Sequence, residues 1–299
     1  MPEQREKIYI DRVPEEHYGS VVAKLTDPLS PLVTDSIRTS MIKDLEKDAS
    51  ANNRVFIDKD RYFVHSFSLT TGRIFLSGGT YTDFNIAREL LGTARDKGRT
   101  ITYETIFNHP SIKLLGLQNL LTTSEGHFII GKRGQKVFQA PGALCLPAGG
   151  VMPETEEYSG EPDVYLSSYD QTIQELGLDV NKDALSLTAI IRDDGHSPNT
   201  SLIFEADLPY DQQQATEAFN EKARDRWEHD GLLFLNRDQV LDQLAEGKFE
   251  AGNANPEYPL IRASLGAILN QGGRLRGDDW LQRAKEGIQS FGYEVVQDE

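Results

Sequence analysis

The chain has one cysteine, Cys145, among 299 residues, which excludes an internal disulfide framework and any thiolate metal cluster. Flanked by Leu144 and Leu146, that thiol reads as a small buried hydrophobe rather than a nucleophile. Long apolar runs are missing: no segment reaches the roughly 20 residues of a membrane-spanning helix. Met1 to Ile10 alternates charged with apolar residues where a secretory leader would carry an unbroken apolar core. These absences predict a cytoplasmic chain that takes no membrane as partner. Cations are in deficit, with 31 Lys and Arg against 47 Asp and Glu and a formal charge of −16. Such a field repels nucleic acid and anionic lipid, and no basic patch interleaved with aromatics relieves it. The six histidines lack zinc-ligand spacing, and neither a P-loop nor a Gly-x-Ser-x-Gly elbow occurs. A nucleotide ligand would therefore need local cations or a metal.

What remains is an alternation of short strands and helices. Apolar alternation marks Lys7 to Asp11, Tyr62 to Leu69 and Arg73 to Ser77 as strands, the last two joined at Thr70-Thr71-Gly72. Ile37, Met41, Ile42 and Leu45 mark a helix capped at Thr34 or Asp35, and Asp83 to Lys97 reads as a second. Leu114 to Thr122 and His127 to Gly131 form a hairpin turning at Ser124-Glu125-Gly126. Further strands are predicted at Leu185 to Arg192, Ser201 to Ala206 and Leu232 to Leu235. Helices are predicted at Pro162 to Leu176, Asp211 to Arg224, Arg237 to Glu246 and Pro259 to Leu269, the last stopped by Gln271-Gly272-Gly273. The pattern is that of an α/β domain on a mixed sheet. A Pro-containing turn at Asn108-His109-Pro110 divides residues 1–110 from a second domain, 111–275, and residues 276–299 read as an amphipathic tail.

The most specific stretch is Leu146-Pro147-Ala148-Gly149-Gly150, followed later by Asp170-Gln171-Thr172-Ile173-Gln174-Glu175-Leu176-Gly177-Leu178. It resembles a Nudix box, whose order is Gly, five residues, Glu, seven residues, Arg-Glu-apolar-x-Glu-Glu-x-Gly-apolar. Gly150 and Glu156 fit the opening and Glu175 to Leu178 the close. Thirteen residues separate Glu156 from Asp170 where the box has seven, and the Arg and first two Glu positions hold Asp170, Gln171 and Gln174. The box is therefore degenerate. Read as a helix, it buries a stripe of Leu166, Tyr169, Ile173 and Leu176 and turns Ser168, Gln171, Gln174 and Glu175 toward a ligand.

The flanks sharpen the resemblance. Arg54-Val55-Phe56 through Thr80-Tyr81-Thr82-Asp83-Phe84, Lys132 to Gly142, Arg192-Asp193 and Trp227-Glu228-His229-Asp230-Gly231 resemble, in order, atypical Nudix proteins that hydrolyse UDP-glucose and UDP-galactose. The resemblance implies a Nudix-type α/β/α sandwich with mixed sheet, preceded by an N-terminal α+β extension that contributes to the nucleotide pocket. It implies Mg²⁺-dependent hydrolysis of a nucleoside diphosphate sugar to UMP and a sugar 1-phosphate. Carried over by position, Tyr62 and Tyr81 line the nucleotide pocket, Arg133 contacts substrate and Phe138 fills a pocket position. Glu175 is catalytic and a metal ligand, and Glu228 is a catalytic acid that orients water or a second metal. A further metal ligand is expected from Glu156, with Glu154, Glu157 or Glu228 as alternatives. Because Gln171 and Gln174 replace carboxylates, the alternative is a catalytically impaired Nudix-fold protein that binds a nucleotide or nucleotide sugar without turnover.

Overall fold

The computed structural model describes residues 6–26, 35–52, 60–88, 113–137, 140–147, 162–193, 200–249, 260–289 and 293–297. Its strands are β1 (Glu6–Arg12), β2 (Val22–Leu25), β3 (Asp60–Ser68), β4 (Arg73–Thr80), β5 (Leu115–Thr122), β6 (His127–Arg133), β7 (Leu144–Cys145), β8 (Ser186–Asp193), β9 (Thr200–Asp207), β10 (His229–Asn236) and β11 (Tyr293–Gln297). Helices are α1 (Asp35–Ala51), α2 (Val164–Leu176), α3 (Gln212–Lys222), α4 (Arg237–Ala245), α5 (Arg262–Arg276) and α6 (Asp278–Gln289), and residues 81–88 are helical.

Eight strands form one mixed sheet in the order β10-β6-β5-β9-β8-β1-β11, with β7 pairing β6. The β5–β9 and β1–β11 pairs are parallel and the others antiparallel. Strand alternation sends Leu117, Leu121, Leu202 and Phe204 to one face, under α2 and α3. Leu120, Ile130, Ile191 and Ile203 go to the other, under α4, α5 and α6. The result is an α/β/α arrangement on a mixed sheet. A smaller sheet, β2-β4-β3, packs Tyr62, Val64, Ile74 and Leu76 into the first of these cores. Two links tie the sheets: a bridge between Phe63 and Leu114, and Val64 N–H donating to the Lys113 carbonyl at 2.9 Å.

Two sequence expectations need correction. The helix expected to stop before Gln271-Gly272-Gly273 runs through it to Arg276. Both glycines are there for clearance: a Cβ on Gly272 would lie 2.2 Å from Trp280, and one on Gly273 would lie 2.5 Å from Arg12 Nη2. The segment after it is not merely a polar tail, since α6 buries Trp280, Leu281, Ala284 and Ile288 and β11 adds a strand beside β1. Gly272→Ala should therefore reverse the usual gain of about 1 kcal/mol from alanine in a helix. Displacing the buried indole costs about 1–3 kcal/mol, so thermal denaturation should show a lower melting temperature. An unchanged or raised one would refute the packing argument. The proposed turn at Asn108-His109-Pro110 lies outside the described residues.

Candidate active site

Helix α2 begins cleanly because Asp163 caps it, accepting from the backbone N–H groups of Tyr165 and Leu166 at 3.0 Å each. It ends at Gly177, whose φ of 67° only glycine adopts without strain and whose N–H donates to the Ile173 carbonyl at 2.8 Å. Its orientation differs from the sequence expectation. The buried residues are Val164, Ser167, Ser168, Thr172, Glu175 and Leu176, while Leu166, Tyr169 and Ile173 are half-buried.

The polar edge of α2 thus faces the sheet, because β5 offers a buried polar partner there. Ser168 Oγ donates to Asn119 Oδ1 at 2.7 Å, Asn119 Nδ2 donates to the Ser168 carbonyl at 3.2 Å, and the same amide also reaches Thr172 Oγ1. Gln171 and Gln174 are half-buried. Glu175, one turn on from Gln171, points into the end of the sheet.

There it meets a residue that had no assigned role. His229 Nε2 lies 2.8 Å from Glu175 Oε2, and the two residues are 3% and 2% exposed. His229 opens β10 opposite Arg133, the last residue of β6, and the register slips between His229 and Gly231. That irregularity lets the imidazole cross the face of Gly131, where a Cβ would sit 2.5 Å from Nδ1. Burial works against a charge on His229, but hydrogen bonding with Cys145 and Glu175 outweighs it and raises the group from 6.5 to about 10. His229 is therefore held as an imidazolium at neutral pH. Cys145 is buried as expected, its thiol 3.7 Å from the Gly131 carbonyl.

Glu228 precedes His229 in a single 3₁₀ turn, Arg226–Glu228. The turn is pinned to β6: Gly134 N–H donates to the Glu228 carbonyl at 2.7 Å, and the Trp227 carbonyl approaches so closely that a Cβ on Gly134 would lie 2.4 Å from it. Burial and the Glu175 charge lift the Glu228 carboxyl to about 7, while Arg133 and His229 pull the other way. Burial also opposes the charge on Arg133, and Cys145, Glu228 and Glu175 more than offset it. Arg133 also acts on Tyr81. Burial pushes that phenol up to about 12, against the pull of Arg88, Arg133 and Arg61.

Four of the sequence-derived residues, Glu175, Glu228, Arg133 and Tyr81, therefore share one neighbourhood. Tyr62, 2% exposed, is packed in the core beside Val64 and Leu76. Phe138 and Glu156 lie outside the described residues. No helix among the described residues is long and apolar enough to cross a membrane. Sequence reasoning missed His229 because a lone histidine carries no spacing signal, although it sits in the Trp227 to Gly231 stretch that carried the resemblance.

No protein-family model matches the chain, and no curated protein matches it in sequence. Solved structures give partial matches. The MutT Nudix hydrolase from Burkholderia pseudomallei is 15% identical, with 52% of this chain and 94% of that one covered and a TM-score of 0.35. The Nudix domain of Shewanella oneidensis NrtR, solved with ADP ribose, is 15% identical over 55% of this chain and 88% of its own, at 0.36. The dihydroneopterin triphosphate pyrophosphohydrolase of E. coli is 14% identical over 52% and 91%, at 0.32. All three matches cover about half of this chain.

Proposed function

We propose that this is a Nudix-type hydrolase of a nucleoside diphosphate sugar, of the UDP-glucose or UDP-galactose kind, releasing UMP and a sugar 1-phosphate. The observation that supports the reading is that Arg133 acts electrostatically on Tyr81 and with both Glu228 and Glu175. A guanidinium there can grip a diphosphate in a chain otherwise short of cations. Beside it is a carboxyl that titrates near 7, suited to taking a proton from an attacking water at neutral pH. Tyr81 offers the flat neighbour and edge hydroxyl that a uracil ring requires.

In this scheme Arg133 positions the phosphates, Glu228 accepts the water proton, and His229 fixes the Glu175 carboxylate. Mg²⁺ binds through one or two carboxylates together with substrate phosphates and retained waters. Among the described residues no group of three or more His, Cys, Asp or Glu is placed to hold a metal; Glu175 would hold the ion, with Glu156 proposed as a second ligand. The ion would neutralise charge developing on the diphosphate.

Binding without turnover is the second reading, and one distance favours it: the Glu175 carboxylate is already bonded to His229 at 2.8 Å. Incubation with UDP-glucose and excess Mg²⁺ separates the two. UMP release that Glu228→Gln removes supports hydrolysis; a raised melting temperature with no release supports binding; neither response refutes the nucleotide-sugar assignment.

Glu228 also carries a stability prediction independent of substrate. Its folded value is raised from 4.5 to about 7, so its favourable contribution is complete below pH 4.5 and is lost as pH rises through about 7. Glu228→Gln should match wild type near pH 4.5 and be more stable near pH 8, by on the order of 1–2 kcal/mol after allowance for solvent screening. Equal melting temperatures at pH 8 would contradict the crowding of the two acids.

A further inference from the structure

We propose that Trp227 and Asp230 form the subsite for the hexose of the nucleotide sugar, the Trp227 ring taking the apolar face of the pyranose and the Asp230 carboxylate accepting from its hydroxyls. The inference rests on the reading of the site as one for a nucleoside diphosphate sugar, and it adds two residues to which that reading gives no role.

Trp227 is 42% exposed, and no other aromatic among the described residues is exposed. A single exposed apolar residue in a loose loop needs no explanation. The backbone around Trp227 is instead held from three sides. Asp225 N–H donates to the Gln174 carbonyl of α2 at 2.9 Å, Glu228 N–H closes the turn on the Asp225 carbonyl at 2.9 Å, and Gly134 N–H, just past the end of β6, donates to the Glu228 carbonyl at 2.7 Å. Arg226 Nη1 donates to the Asn220 carbonyl of α3 at 3.2 Å. An aromatic residue fixed in this way and left in water is preorganised for a ligand, so little ordering cost remains for binding.

Two distances bring Asp230 and Trp227 to the residue that follows Arg133. A Cβ on Gly134 would lie 2.4 Å from the Trp227 carbonyl and 3.5 Å from Asp230 Oδ1. Asp230 is available there because the register slip between His229 and Gly231 leaves it without a partner on β6. It is exposed and has no hydrogen-bond or ion-pair partner among the described residues. Consecutive Cα atoms stand about 3.8 Å apart, a step that suits a phosphate on Arg133 and the sugar bonded to that phosphate.

Charge decides which part of the ligand belongs beside Trp227. Asp225, Glu228 and Asp230 flank it in the chain, and their carboxylates repel phosphate. A hexose is neutral, offers hydroxyl donors to a carboxylate and has a C–H face that covers an indole. A uracil ring also stacks on indole, but its two carbonyl oxygens would face acceptors here, whereas every hydroxyl of a hexose can donate.

The test reads Trp227 directly, because the chain's other tryptophan, Trp280, is 3% exposed. Quenching of intrinsic fluorescence by acrylamide is measured with Mg²⁺ present, with and without saturating UDP-glucose or UMP, in the full chain carrying Glu228→Gln to keep the substrate intact; calorimetry gives the affinities. UDP-glucose should at least halve the quenching, and UMP should change it little. In the same background Trp227→Ala should weaken UDP-glucose binding about tenfold while UMP binding shifts less than twofold, and Trp227→Phe should recover part of the loss. Asp230→Asn should weaken UDP-glucose binding severalfold. Equal protection by UMP assigns the ring to the base and overturns the subsite. Protection that appears without ligand as protein concentration rises assigns it to a second copy and overturns it as well. UDP-glucose binding undiminished in Trp227→Ala removes the subsite and leaves the nucleotide-sugar reading standing. No UDP-glucose binding, by this chain or by wild type, removes both.

Discussion

Glu175→Gln is expected to lower stability by about 3 kcal/mol and to abolish any UMP release. Removing one partner of a buried ion pair leaves the other charge without compensation, and such single changes cost about 3–5 kcal/mol. Here the orphan would be His229, 3% exposed and lying on Gly131. For a chain of 299 residues the loss corresponds to a fall in melting temperature of about 5 °C. The double variant Glu175→Gln/His229→Gln removes both charges and should regain much of the stability while remaining inactive. If it is no more stable than the single variant, the ion-pair account is wrong. The pH course gives an independent check. His229 has a folded value raised from 6.5 to about 10, so the stability from the pair is complete below pH 6.5 and disappears as pH rises through about 10. Wild type should lose stability over that window, and His229→Gln should lack the slope.

Gly177→Ala is the second large effect. The position is left-handed, which costs an L-residue roughly 1–2 kcal/mol, and a Cβ there would lie 2.4 Å from the Ala218 carbonyl and 2.8 Å from the Ala223 nitrogen. Both are backbone atoms of the α3 region, so relief means separating α2 from α3 rather than turning a side chain. The combined cost should exceed about 3 kcal/mol, read as loss of soluble yield or as a large drop in melting temperature. A variant that melts with wild type would mean that α2 and α3 are not held as closely as described. This glycine is thus demanded by helix termination and helix contact, whatever the fate of the carboxylates before it.

Those two positions also mark where the sequence was readable. The close of the box was legible because a glycine after an apolar-periodic run is a helix stop with a physical cause. The β5–β6 hairpin and the β8 and β9 strands were legible because alternation and a Gly-containing turn agree. The rotation of α2 was not: a template that assigns polar residues to a ligand cannot foresee that Asn119, on a strand far away in sequence, supplies buried partners for Ser168 and Thr172. The continuation of α5 through Gly272-Gly273 was hidden for the same reason, since the need for space under Trp280 exists only once α6 has folded back. Within the candidate site, Arg133, Glu175 and Glu228 could be named from motif position. His229 could not, because its partner choice depends on a β-irregularity that leaves no mark in spacing.

The pairing of β1 with both β8 and β11 carries a consequence for how the chain is made. Residues near position 8 align with residues near 193 on one edge and near 295 on the other. Strand β1 therefore waits until the residues near position 295 are made before its second neighbour exists. Contacts so distant along the chain form slowly and leave an open strand edge during synthesis. Nascent chains halted before residue 293 should engage chaperones more strongly than those extended past residue 297, and this edge of the sheet should close only once β11 is made.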